Sequence, residues 1–89
     1  MVCLLVQHPV DDYAEWKKGF DSGANFRADS GVRSSIALQE ADDPNMVTVL
    51  LEWDSLRQAR NFAHSPRLKD AMGRSGVQGV PCFTFLNET

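Results

Sequence analysis

Only two histidines occur in the 89 residues, and His8 is the side chain best suited to proton transfer. Imidazole titrates near neutral pH, so a histidine can take a proton from a substrate under physiological conditions. His8 follows a short apolar run and precedes Pro9, which predicts a general base at the mouth of a pocket. For each histidine a simpler structural role remains open. His8 can hydrogen-bond a nearby loop, and His64, just before Ser65-Pro66, can interact with the dipole at a helix end.

Two further polar side chains are candidates for stabilising an oxyanion. Arg33 falls in a predicted strand whose same face is otherwise small or polar, and a guanidinium there could bind a carboxylate or an enolate. Asn61, on a predicted helix, could orient an oxyanion through its amide. An exposed arginine on an edge strand and a solvated asparagine on a helix are the competing interpretations. The predicted catalytic residues are therefore His8, Arg33 and Asn61.

Aromatic side chains could form the wall of a pocket for a hydrophobic ligand. A ring can stack on a ligand, or it can simply supply core area, roughly 150–250 Å² per side chain. Trp53 ends a predicted strand, where either role is open, and Tyr13 is the only phenol in the chain. The predicted substrate-binding residues are Tyr13, Phe20, Trp53, Phe62 and Phe83.

Composition and charge exclude several classes of partner. The net charge is −3 and no basic run occurs, so neither nucleic acid nor an anionic membrane is expected to bind. No apolar stretch approaches the ~20 residues that span a bilayer, and the first residues lack the pattern of a signal peptide, which predicts a cytoplasmic protein. Cys3 and Cys82 have no partners at metal-ligand spacing, and no Gly-rich phosphate loop is present. No metal or cofactor is predicted.

The first half of the chain is predicted to form a strand, a helix and a second strand. The run VCLLVQ is typical of a buried strand, and His8-Pro9 is expected to end it because proline lacks a ladder donor. Asp11 or Asp12 then caps a helix that frays around Gly23. Residues 32–40 form the second strand. The helix carries one apolar stripe made of Tyr13, Trp16, Phe20 and Ala24.

The second half is predicted to form a strand, a helix and a last strand. A turn at residues 42–45 leads into a strand over residues 46–53, so strands two and three form a hairpin. Asp54 or Ser55 caps a helix that is interrupted at Ser65-Pro66 and stopped by Gly73 and Gly76. The last strand is expected over residues 77–86, at a sheet edge or with a bulge because it contains Pro81.

This β-α-β-β-α-β order predicts a ferredoxin-like α+β fold, in one domain over residues 1–89, with a four-stranded antiparallel sheet. Both helices then cover the same face of the sheet. The strands are apolar on both faces, so the uncovered face would leave a large exposed patch. Two sheets packed face to face would bury it, which predicts a homodimer.

On these residues the chain resembles the dimeric α+β barrel superfamily, and within it the antibiotic-biosynthesis-monooxygenase-like proteins. The topology resembles theirs throughout, and residues 53–66 resemble them as a motif, with Trp53 at the strand end, the Asp54-Ser55 cap, and Ala59 with Ser65-Pro66. The resemblance implies a dimer with a pocket between sheet and helices, lined by Trp53. Some members oxidise aromatic quinols with molecular oxygen and use neither metal nor flavin. Phe62 stands where members often have a histidine, so that histidine's haem-binding or proton-transfer role does not carry over.

The predicted function is therefore the binding of a hydrophobic, aromatic small molecule by a homodimer, with cofactor-independent monooxygenase or cyclase activity as its catalytic form. Two alternatives belong to other classes: a ligand-binding protein without catalysis, and a structural dimerisation domain. Whether the protein is an enzyme stays open at this point.

Overall fold

The computed structural model describes residues 1–89 and contains four strands and four helices. In chain order these are β1 (Val2–Pro9), α1 (Tyr13–Ser22), α2 (Ala24–Asp29), β2 (Ser34–Gln39), β3 (Met46–Trp53), α3 (Leu56–Ala63), α4 (Pro66–Arg74) and β4 (Cys82–Asn87). None of the helices is long and apolar enough to cross a membrane.

The strands form one antiparallel sheet in the order β2-β3-β1-β4. The central strand β1 pairs with β3 on one side and β4 on the other, so Leu4 lies between Leu51 and Phe85. β2 pairs with β3 as the predicted hairpin. The ferredoxin-like α+β fold predicted from the order of elements is confirmed.

Each of the two predicted helices consists of two short helices. Gly23 separates α1 from α2, and Pro66 begins α4 directly after the end of α3. Asp12 is the residue that caps α1, because its side chain accepts a hydrogen bond of 3.2 Å from the backbone N–H of Glu15. Ser55 does the same for α3 through the N–H of Gln58, also at 3.2 Å.

The prediction that His8-Pro9 ends the first strand is wrong by two residues, because β1 continues through Pro9. The carbonyl of Pro9 accepts a hydrogen bond from Gln78, on the side of the strand that faces away from β3. In an antiparallel ladder the N–H of a residue at position 9 would point to the same side as its carbonyl, away from β3. The missing donor therefore costs no hydrogen bond between β1 and β3.

The last strand begins later than predicted, at Cys82 rather than Val77. Val77 makes only an isolated bridge with Val10, and Pro81 precedes the strand, which lies at the sheet edge. The prediction that Gly73 helps to end the preceding helix is also wrong, because α4 continues to Arg74.

The core lies between the sheet and the helices. Along β1 and β3 alternate side chains point to this layer, and Leu4, Val47 and Trp53 are fully buried in it. Ala59 and Phe62 of α3 and Trp16 of α1 cover them from the helix side. The opposite face of the sheet has no such cover, since Ile36 is 54% exposed and Leu38 is 45% exposed. The helices thus bury one sheet face and leave the other open.

Candidate functional site

A cavity of about 80 Å³ lies between the covered face of the sheet and the helices. Its floor is formed by Val6 and His8 of β1 with Val49 and Leu51 of β3. The other walls come from the helices, with Trp16, Gly19, Phe20, Gly23, Phe26 and Arg27 on α1–α2 and Phe62, Leu68, Ala71, Met72 and Ser75 on or next to α3–α4. The cavity is thus lined mainly by apolar side chains and has room for a few water-sized molecules.

His8 is the only polar residue that the structure buries, with 3% of its surface exposed. The alternation of β1 places it on the same face as Leu4 and Val6, under the helices. Its ring contacts the ring of Trp16 edge-on, with 5.9 Å between the centroids. A titratable ring is therefore held in an apolar layer and reaches the cavity.

The hydrogen bonding of His8 favours one tautomer. Nδ1 lies 3.3 Å from the carbonyl oxygen of Pro9, so a proton on Nδ1 is donated to that oxygen. Nε2 is then the unprotonated nitrogen with a free lone pair. Burial lowers the pKa of His8 below its ordinary 6.5, and the hydrogen bond to Pro9 offsets only part of this effect. At neutral pH His8 is a neutral imidazole that can accept a proton.

Two pairs of aromatic rings form part of the cavity wall. Trp16 and Phe20 stack with 5.2 Å between their centroids, and Phe26 and Phe62 stack at 5.5 Å. Such faces attract planar apolar molecules. Met72, which also lines the cavity, is unbranched and flexible, and its movement can widen the space for a ring.

At one part of the cavity wall α1 closely approaches the end of α4. A Cβ atom at Gly19 would lie only 2.5 Å from Oγ of Ser75, which itself donates a hydrogen bond to the carbonyl of Ala71. Because glycine has no side chain, α1 and the end of α4 can come this close at the cavity wall.

A second depression of about 730 Å³ runs between α4 and the segment before β4. It is lined by His64, Lys69, Val80 and Phe83 among others, and Val80 is 92% exposed. It contains no buried titratable group. The smaller cavity at His8 is therefore the candidate site. No three His, Cys, Asp or Glu side chains come together anywhere in the protein as metal ligands would.

Comparison with known proteins identifies the fold. No protein-family model matches the chain. No curated protein matches it either. Among solved structures, a provisionally named antibiotic biosynthesis monooxygenase from Bordetella bronchiseptica superimposes with a TM-score of 0.85 at 11% identity, over 99% of this chain and 96% of that one. The chain has the antibiotic-biosynthesis-monooxygenase-like fold.

Two other proteins with this fold are similar over most of their length. SnoaB, a cofactor-independent oxygenase from Streptomyces nogalater, gives a TM-score of 0.74 at 20% identity, over 99% of this chain and 94% of that one. A provisionally named antibiotic biosynthesis monooxygenase from Deinococcus radiodurans gives 0.77 at 14% identity, over 100% and 93%. At these identities the similarity establishes the shared fold, and activity has to be argued from the site.

The structure brings together three of the predicted site residues, because His8, Phe20 and Phe62 all line the cavity. The other predicted substrate-binding residues lie outside the lining. Tyr13 contacts the Trp16 ring, with 5.8 Å between centroids, and Phe83 lines the second depression. Trp53 is fully buried next to Phe62, with 5.1 Å between their rings.

Arg33 and Asn61 do not reach the cavity. Arg33 precedes β2, which lies at the far edge of the sheet, and its exposed side chain binds Asp54 at 2.9 Å. That hydrogen bond raises the pKa of Arg33. Asn61 is exposed on α3, one residue before the buried Phe62 and so about 100° around the helix from it. Neither placement supports a role at His8.

Sequence reasoning did not single out Arg27, which lines the cavity on α2. The chain does contain a signal for it. Trp16, Phe20 and Gly23 continue at helical spacing to residue 27, so a basic residue follows on the apolar stripe of the helix. A charged residue on a face that must be buried is unusual and indicates a specific role.

The lowered pKa of His8 predicts how stability depends on pH. The unfolded chain binds the proton more readily than the folded protein, so the contribution of neutral His8 to stability is complete above pH 6.5 and is lost as the pH falls below it. Urea unfolding of the wild type and of His8→Gln at about pH 7.5 and about pH 5.5 measures this effect. We expect the wild type to lose more stability than His8→Gln on acidification. His64→Gln, at the exposed histidine, should behave as the wild type, and equal losses in all three proteins would contradict the prediction.

Proposed function

We propose that the protein is a cofactor-independent monooxygenase that binds a phenolic or enolisable aromatic compound in the cavity at His8. The observation that carries this proposal is a neutral, buried imidazole in an apolar aromatic cavity. Such a group is a poor ligand for an apolar molecule but a good proton acceptor for an acidic hydroxyl. The aromatic wall of Trp16, Phe20 and Phe62 would position the ring beside it.

The proposed reaction needs only the substrate, molecular oxygen and a base. His8 accepts the hydroxyl proton, and the resulting oxyanion raises the electron density at the ring carbon that reacts with oxygen. A C–O bond forms there, the ring supplies the electrons, and the proton returns to the peroxide. The O–O bond then breaks with loss of water, so that a phenol and O2 give a quinone and H2O. The same fold in SnoaB, described as a cofactor-independent oxygenase, supports this reaction class.

Binding without turnover is the second candidate, and the composition of the cavity favours it. Apart from His8, Arg27 and the indole N–H of Trp16, the only polar side chain in the lining is that of Ser75, whose hydroxyl already donates to Ala71. The cavity therefore offers few groups to a reaction and much surface to an apolar ligand.

An oxygen electrode distinguishes the two candidates. Purified protein treated with a chelator is mixed with a panel of phenols and naphthols that have a free para position, and oxygen uptake is compared with the uptake in buffer. One oxygen atom from labelled O2 should enter the quinone and the other should enter water. Saturable binding of a phenol without oxygen uptake above the buffer rate would support the second candidate and overturn the first.

We further propose that the protein is a homodimer in which the open sheet faces pack together. Leu5 and Leu50 lie side by side in the centre of that face, and Ile36 of β2 is next to Leu50. On the other side Leu86 of β4, which is 41% exposed, pairs with Cys3 on the same face. Soluble monomers rarely leave an apolar surface of this extent in water. A second copy offers the same surface and buries both.

Light scattering of the wild type and of Leu50→Glu tests the dimer. A carboxylate at the centre of the face would lie against apolar side chains of the partner without a counter-charge, so we expect the wild type to be dimeric and this variant to dissociate. Asn61→Glu, which adds the same charge on the exposed side of α3, should stay dimeric. A monomeric wild type at micromolar concentration would contradict the proposal.

A further inference from the structure

We propose that Arg27 is the specificity-determining residue of the cavity and that the ligand is an aromatic compound with an anionic oxygen, which the Arg27 guanidinium binds. The inference rests on the proposed function, because it takes the cavity at His8 as the ligand site. To the proposed function it adds the charge of the ligand and the residue that binds this charge.

The Arg27 side chain folds back along α1 to reach the cavity. Its guanidinium lies 3.8 Å from the centroid of the Phe20 ring, and Nη1 donates a hydrogen bond of 2.7 Å to the carbonyl oxygen of Phe20. Gly23 leaves room for this path, since a Cβ atom there would lie 3.2 Å from Nη1. The charge is thus held in place against an aromatic wall of the cavity.

The hydrogen-bonding capacity of Arg27 is only partly used. Its Nε is buried and has no partner. The four ion pairs of the protein involve other cations: Lys17, Lys18, Arg33 and Arg74. Asp21 acts on Arg27 only through space, and its carboxylate binds Lys17 at 2.6 Å. A buried donor without a partner is costly, so a small movement of the Arg27 side chain that brings Nε to an acceptor in the cavity would be favourable.

The environment of Arg27 strengthens its interaction with an anion. Burial lowers the pKa of Arg27, and the charge of Asp21 opposes this effect only in part. The guanidinium remains charged, and in a partly desolvated site its attraction for an oxyanion is larger than in water. Phenolate, enolate and carboxylate oxygens all have the required charge and hydrogen-bond geometry.

Arg27 and His8 are complementary in this arrangement. Both line the same cavity, one as a neutral proton acceptor and the other as a fixed positive charge. A phenol that loses its proton at His8 becomes an oxyanion, and Arg27 would stabilise that form. The oxyanion role that the sequence suggested for Arg33 or Asn61 is thereby assigned to Arg27 instead.

A structural role for Arg27 is the competing explanation, because Nη1 also satisfies a carbonyl near the end of α1. Benzoate and benzamide separate the two roles, since they have nearly the same shape and differ in charge. Their dissociation constants are measured by NMR titration of the wild type and of Arg27→Met, which keeps an unbranched side chain and removes the charge. Arg60→Met is the control, because Arg60 is an exposed helix arginine whose guanidinium lies 6.0 Å from the Phe85 ring.

We expect the wild type and Arg60→Met to bind benzoate at least about tenfold more tightly than benzamide, and Arg27→Met to lose that preference while binding benzamide as before. Arg27→Lys, which keeps the charge without Nε, should retain part of the preference and serves if Arg27→Met does not fold. An unchanged preference in the Arg27 variants, or equal weakening of both ligands, would overturn the inference and leave the proposed function standing. If neither compound binds the wild type at the cavity, the ligand site itself is wrong.

Discussion

Replacing His8 with glutamine is expected to lower the turnover of a phenolic substrate by about 10²- to 10⁴-fold, the usual contribution of a general base. Glutamine fills similar space and can still hydrogen-bond the carbonyl of Pro9, but it cannot take up a proton at neutral pH. The loss should appear mainly in kcat, because the aromatic wall that holds the substrate is unchanged. Oxygen uptake and quinone formation, measured with the same substrate, give the two rates.

His64→Gln is the matched control, since it removes the other histidine from an exposed position outside the cavity. It should retain the wild-type rate. The pH profile adds a second readout: activity of the wild type should fall on acidification as His8 becomes protonated, and His8→Gln should lack that step. Wild-type turnover in folded His8→Gln would remove His8 from the mechanism, whatever the substrate.

Much of the fold could be predicted because it follows from local patterns. β3 is observed over Met46–Trp53 as predicted, since alternation and a strong turn before it define both its ends. The interruptions at Gly23 and Pro66 follow from the backbone chemistry of those residues. The end of β1 could not be predicted in this way. Whether Pro9 fits a strand depends on which neighbour its missing N–H would face, and only the sheet determines that.

Site residues could be predicted only where the helix or strand that contains the residue determines the direction of its side chain. His8 follows the alternation of β1, and Phe20 and Phe62 follow the stripes of their helices, so all three reach the cavity. Arg33 lies just outside β2, where alternation no longer applies, and there it pairs with Asp54. Arg27 was missed because an arginine reaches several ångströms from its backbone. Helical spacing puts residue 27 on the apolar stripe, but it does not show that the side chain passes Gly23 and lies over Phe20.

Replacing Trp53 with alanine is expected to destabilise the protein by about 3–5 kcal/mol. Trp53 is fully buried in the core and packs against Phe62, so its removal leaves a large void under α3. A domain of this size has only about 5–15 kcal/mol of stability, and a loss of this magnitude leaves a substantial unfolded fraction on mild heating. Urea unfolding monitored by circular dichroism measures the change.

Trp53→Phe should cost much less, under about 1.5 kcal/mol. The indole N–H of Trp53 is buried without a partner, and phenylalanine removes that unsatisfied donor while it keeps most of the ring volume. The same variant tests the ligand-binding role that the sequence suggested for Trp53. Because Trp53 does not line the cavity, benzoate binding should remain at the wild-type level. A stable Trp53→Phe variant that binds benzoate several-fold more weakly would show that Trp53 contacts the ligand after all, through a cavity that opens further when it is occupied.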